Sequence, residues 1–146
     1  MNQDIVISVD VAGTATENPL GLEIWMDDTI VHDIIATSVT ETYLIALNGD
    51  TEAEHELKFV LKNKTSAHTQ IDDAGNIVND TTVTLNNLKF DGIALGHVFN
   101  NLATYTHNFN GHGEESTHAF FDTIGCNGTV SLKFSTPIYL WLLEHM

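Results

Sequence analysis

Apolar and polar side chains alternate with a period of two through most of this sequence. Ile5, Ile7, Val9 and Val11 share one side of a segment over residues 5–11, which predicts a strand with one buried face. A polar loop from Gly13 to Pro19 leads to a second strand, Leu20 to Met26. Asp27-Asp28 reads as a turn, since aspartate bonds nearby backbone and accepts turn geometry. Strands follow over Thr29 to Ile35 and Thr42 to Leu47, with another turn at Asn48-Gly49-Asp50. The stretch from His55 to Leu95 reads as strand, acidic loop, strand. Its first arm sets Leu57, Phe59 and Leu61 against Glu56, Lys58, Val60 and Lys62. Its second arm carries Val83 and Leu85, then Leu88 and Phe90, and the shift at Asn86-Asn87 suits a β-bulge.

Ile93 to Phe99 and Tyr105 to Phe109 read as further strands. The pattern then weakens, and Glu114 to Phe121 suits a short helix with acids in its first turn, where the helix dipole favours them. Gly125 and Gly128 bound a tight reversal, Val130, Leu132 and Phe134 alternate again, and Pro137 to Leu143 forms a last, almost wholly apolar strand. Short strands at close spacing with turn signals between them predict an all-β, antiparallel two-sheet β-sandwich of jelly-roll type. At most one short helix is expected, near residues 114–122, in a single domain over residues 1–146. Ile138, Tyr139, Trp141 and Leu143 make the last segment apolar on both faces. Such a strand is either wrapped by the sandwich or packed on another copy or another protein, and both readings stand.

At 146 residues the chain is long enough to bury roughly 70% of its unfolded surface. Its eighteen threonines fit a pleated sheet. Cys126 has no second cysteine to pair with and is expected to be buried. Five lysines against twenty carboxylates give a net charge of −15, which argues against nucleic acid and anionic lipid as partners, because both are bound through cations. No apolar run reaches the eighteen residues or more that a membrane helix requires. The opening MNQDIVISVDV lacks the basic start and apolar core of a secretory signal, so synthesis without export is expected.

Candidate chemistry is sparse. Asp72, Asp73, Asn76, Asn79 and Asp80 crowd oxygen donors around Gly75, a donor set suited to calcium, which takes six to eight oxygens. The spacing is not that of an EF-hand, and the plain alternative is a solvated acidic hairpin stiffened by Asx turns. His107, His112 and His118, with Glu114 and Glu115 nearby, invite zinc, but their spacings are unlike those of familiar zinc sites. No Gly-x-Ser-x-Gly is present, Cys126 has no basic neighbour, and no acid pair stands in an aromatic, apolar context. The protein is therefore expected not to be an enzyme. Sugar contact would use Trp25, Tyr43 or Tyr105 as flat faces, or the amides of Asn100 and Asn101; each also reads as core or turn.

The order of a strand beginning with His55, Asn63 at its end, an acidic loop, Asn79-Asp80, then a strand closing on Phe90-Asp91-Gly92 resembles the calcium-dependent xylan-binding modules. Lys64 stands where that family has an acid, and Thr81-Thr82 stand in place of Arg-Asn. The resemblance covers roughly residues 5–98 and implies a small β-sandwich, calcium and a glycan ligand. HELKFVLKNKTS and the closing CNGTVSLKFSTPIYLWLLEHM also resemble small structural proteins of tailed phages of marine cyanobacteria. That second likeness implies a virion location and an oligomeric structural role as capsid decoration, tail or fibre. The partners would then be other virion proteins or copies of the chain, with host glycans touched by the loops. The alternative is a soluble calcium-dependent carbohydrate-binding protein with no virion role.

Overall fold

Residues 5–11, 20–26, 57–61, 83–90 and 130–134 turn their apolar rows inward, as the alternation predicts. The computed structural model describes residues 4–14, 19–48, 52–65, 69–108, 113–120 and 122–145. Among them, β1 (Asp4–Gly13), β4 (Glu41–Asn48), β8 (Val83–Phe90), β9 (Ile93–Ala94) and β12 (Thr123–Ile124) form one antiparallel sheet, ordered β12-β8-β1-β4 with β9 on β8. A second antiparallel sheet is ordered β11-β10-β13-β5-β2-β3. Its strands are β2 (Leu20–Met26), β3 (Thr29–Ala36), β5 (Ala53–Lys62), β10 (Thr104–His107), β11 (Ser116–Ala119) and β13 (Gly128–Thr136). A separate hairpin joins β6 (Thr69–Ile71) to β7 (Ile77–Asp80).

The two large sheets face each other as a sandwich. Ile5, Ile7, Val9 and Val11 from β1 and Val83, Leu85, Leu88 and Phe90 from β8 meet Leu20, Leu22 and Ile24 from β2, Leu57, Phe59 and Leu61 from β5, and Val130, Leu132 and Phe134 from β13. Burying these rows supplies most of the driving force for folding. The bulge falls where the alternation slips: Asp10 pairs with Asn86 and Ser8 with Lys89, and Asn87 takes a positive φ of 54°. Its amide donates to Asp10 across the strands at 2.8 Å. Asparagine tolerates that left-handed conformation better than most residues. Gly13 has the opposite constraint, because a Cβ there would lie 2.4 Å from the Ala36 carbonyl oxygen.

Three of the expected elements need correction. Ile93 to Phe99 does not continue as a strand. After β9 the chain turns at Gly96, with φ 55°, into helix α1 (His97–Leu102). Leu95, Val98 and Phe99 are the buried positions, and that spacing of three and four is helical, not alternating. Glu114 to Phe121 is not a helix. Ser116–Ala119 is β11, paired antiparallel with β10, and the Thr106 and Thr117 hydroxyls meet across it at 2.8 Å. Its four side chains are all exposed, so no alternation betrayed it.

The last segment is helix α2 (Ile138–His145), not a strand. Pro137 is tolerated just ahead of it, where its missing N–H is not needed. Ile138, Trp141 and Leu142 are buried against the sandwich, while Tyr139, Leu140 and Leu143 face outward. Of the residues expected at an interface, Ile138 and Trp141 are therefore core; Tyr139 and Leu143 remain on the surface. Trp141 stacks on Phe90 at 5.8 Å and meets Phe134 edge-on at 6.1 Å. Cys126 is half-buried rather than buried. Gly49-Asp50, His112, Phe109 and Phe121 lie outside the described residues.

The terminal strands of the two sheets are tied to each other. His32 of β3 donates from Nε2 to the Leu44 carbonyl of β4 at 2.8 Å and sets its ring edge-on to Tyr43.

Candidate functional site

At one end of the sandwich the β2–β3 turn, the start of β5, the end of β13 and α2 enclose an open groove of about 530 Å³. That volume lies within the range of small-ligand sites. Asp27 and Asp28 come from the turn, Glu54, His55 and Glu56 from β5, Lys133 and Ser135 from β13, and Trp141, Glu144 and His145 from α2. Alternation explains the β5 contribution: Leu57, Phe59 and Leu61 point inward, so the other row, with Glu54 and Glu56, is turned out of the core.

One wall is held by Asp27. Its Oδ1 accepts the Glu56 backbone N–H at 2.9 Å, and its Oδ2 lies 2.9 Å from His55 Nδ1. Burial pushes the Asp27 carboxyl up, but the bonds from His55 and the Glu56 N–H, with the nearby Lys58 ammonium, prevail and hold it below the usual carboxylate value. Glu56 also accepts the Ser131 hydroxyl at 2.5 Å. On the helix side, His145 Nδ1 donates to the Trp141 carbonyl at 2.8 Å and its ring lies 4.7 Å from the indole. The groove thus presents fixed carboxylates and imidazoles beside an aromatic edge. Carboxylates and imidazoles are suited to hydrogen-bonding hydroxyl groups.

The residues singled out from sequence for sugar contact lie elsewhere and are not brought together. Trp25, on β2, is half-buried, donates to Glu23 at 3.1 Å and carries the Lys58 ammonium 5.2 Å from its ring centre. Tyr43, on β4, donates to Glu41 at 2.9 Å, and burial first, then the Glu41 carboxylate, raises its phenol. Tyr105 is only 5% exposed. Its hydroxyl donates to the Cys126 carbonyl and accepts the Cys126 N–H, and burial pushes its phenol up to about 12. It therefore offers no open face to a ligand. Asn100 and Asn101 lie on α1, half-buried and exposed respectively.

Asp72, Asp73 and Asn76 form the exposed turn of the β6–β7 hairpin. Asp72 Oδ1 accepts the backbone N–H groups of Ala74 and Asn76, each at 2.9 Å, which is an Asx turn. Asn79 and Asp80 lie on β7, and their side chains fall outside the described residues. Lys64 is buried and turns its ammonium to the Gly125 carbonyl. Asn127 brackets the Lys64 backbone, accepting its N–H at 2.9 Å and donating to its carbonyl at 2.8 Å. Among the described residues no three His, Cys, Asp or Glu side chains converge as a metal site.

Sequence reasoning missed the groove because its lining comes from four segments far apart in the chain. The available signal was the run Glu54-His55-Glu56, whose two acids alternate with the inward row of β5.

The architecture is a two-sheet antiparallel β-sandwich. Among solved structures the chain is similar to the selenomethionine form of vCBM60, described in connection with circular permutation linking two families of calcium-dependent carbohydrate-binding modules. The TM-score is 0.55 at 16% sequence identity, over 88% of this chain and 89% of that one. At that identity the shared property is the fold. No family model matches the sequence, and no curated protein matches it.

Proposed function

We propose that the protein is a non-catalytic carbohydrate-binding module that takes uncharged glycan in the groove between the β2–β3 turn, β5, β13 and α2. The observation that carries this reading is the likeness of the sandwich, over nearly its whole length, to a calcium-dependent carbohydrate-binding module. It supports the second of the two roles expected from sequence, the glycan-binding protein, over the virion role. The groove supplies the chemistry. Asp27, Asp28, Glu54, Glu56 and Glu144 accept sugar hydroxyls, and His145 adds a ring nitrogen. Five carboxylates against the single lysine Lys133 repel uronate or sulfate groups.

Affinity electrophoresis through gels carrying soluble polysaccharides tests this reading. A neutral polysaccharide is expected to retard the protein, and an anionic one such as alginate is not. Asp28→Ala and Glu144→Ala should each weaken retention by about tenfold, the value of one hydrogen bond to a charged group. Free migration in every gel, with no signal on a glycan array, would refute the proposal. Melting with saturating calcium or with chelator reads the metal separately. A cation bound only by the folded form would stabilise by about 2.7 kcal/mol at one hundred times its Kd. With the donors described on the β6–β7 hairpin, no such shift is expected.

A further inference from the structure

His107 and His118 face one another across the β10–β11 pair, away from the groove. Their Nε2 atoms lie 2.9 Å apart, with the ring planes at 87°. We propose that these two imidazoles are a binding site for a divalent transition-metal cation of the zinc class, held by two protein nitrogens and completed by water.

Three features of the geometry lead there. First, the two Nε2 atoms already lie close to the separation that a shared metal ion requires. Tetrahedral zinc with bonds of about 2.0–2.1 Å needs two ligand nitrogens about 3.3 Å apart, so the pair has only a few tenths of an ångström to open. Second, His118 Nδ1 donates to the Ala119 carbonyl at 3.0 Å. Metal-ligating histidines commonly donate their other ring N–H to a carbonyl or carboxylate, which fixes the tautomer and leaves the second nitrogen as a lone-pair donor. In the metal-free pair His107 Nε2–H therefore donates to His118 Nε2. Loading moves the His107 proton from Nε2 to Nδ1, with no net change in charge on the ring. Third, access and rigidity are combined. His118 is exposed on an edge strand while His107 is 8% exposed and packed 4.6 Å from the Tyr105 ring.

Nitrogen donors select zinc, copper or nickel over calcium or magnesium, which prefer oxygen. The site is separate from the acidic β6–β7 hairpin, and it stands or falls independently of glycan binding.

Calorimetric titration of the full chain with zinc chloride, and with calcium chloride as a comparison, tests it. The wild type is expected to show a zinc site that calcium does not fill. His118→Ala should weaken that site by at least about tenfold, since loss of an outer-shell partner alone costs 10–100-fold. His97→Ala, at the exposed start of α1, should retain it. Because other histidines could take up zinc, NMR of the imidazole rings supplies a second reading: the His107 and His118 resonances should shift together on loading. Equal zinc affinity in wild type and His118→Ala, no zinc binding by the wild type, or ring shifts confined to other histidines would each overturn the proposal.

Discussion

Single carboxylates connect this fold to its pH response. Asp10 accepts the Thr42 hydroxyl at 2.6 Å through one oxygen and the Asn87 amide at 2.8 Å through the other. These two bonds, Asn87 first, outweigh burial and hold its carboxyl below the ordinary value. Asp27 is likewise lowered, although its side chain is 46% exposed and water weakens the effect. A carboxyl whose folded value is depressed stabilises the native state above its unfolded value near pH 3.9, and that contribution fades as pH falls through the folded value. Asp10→Asn should therefore cost about 1 kcal/mol at neutral pH and progressively less below about pH 4. Urea melts of both proteins at neutral and acid pH check this; an equal gap at both would contradict it.

Elements differ in how plainly their residues announce them. β1, β2, β5, β8 and β13 are legible because one face of each is buried and the other is not, so period two is written into the residues. Even the bulge at Asn87 leaves a trace, as a one-residue slip. Helix α2 hides because eight residues hold Ile138, Trp141 and Leu142 at helical spacing among equally apolar neighbours, and hydrophobicity on every side erases the period. Strand β11 hides for the opposite reason, since nothing it carries is buried. The candidate groove was illegible altogether, because only the fold brings Asp28, Glu54 and Glu144 together. At this scale, Trp141→Ala should cost about 3–5 kcal/mol by removing the ring between Phe90 and Phe134. Leu143→Ala, 78% exposed on the same helix, should change stability by no more than about 0.5 kcal/mol. Equal losses from the two, measured by thermal or urea unfolding, would mean that α2 does not dock by the face described.

For the whole molecule the dominant property is a net charge of −15 carried on a sandwich of 146 residues. Lys62 offsets part of it locally, binding Asp33 at 2.8 Å and Glu23 at 3.1 Å, but most carboxylates have no such neighbour to balance them: five lysines face twenty acids. Self-repulsion on this scale weakens the compact state and is screened by salt over a Debye length of about 8–10 Å. The melting temperature is therefore expected to rise as sodium chloride is raised from millimolar to molar concentration. A fall over that range would show that attractive pairs, Lys62 among them, outweigh the repulsion.

The link from His32 to Leu44 also bears on how densely the molecule can be stored. An unclaimed rim of amides and carbonyls invites a neighbouring molecule to zip on and start a ribbon. Here one of those carbonyls is already taken by an imidazole rooted in the opposite layer, so that carbonyl is closed to an incoming strand from within.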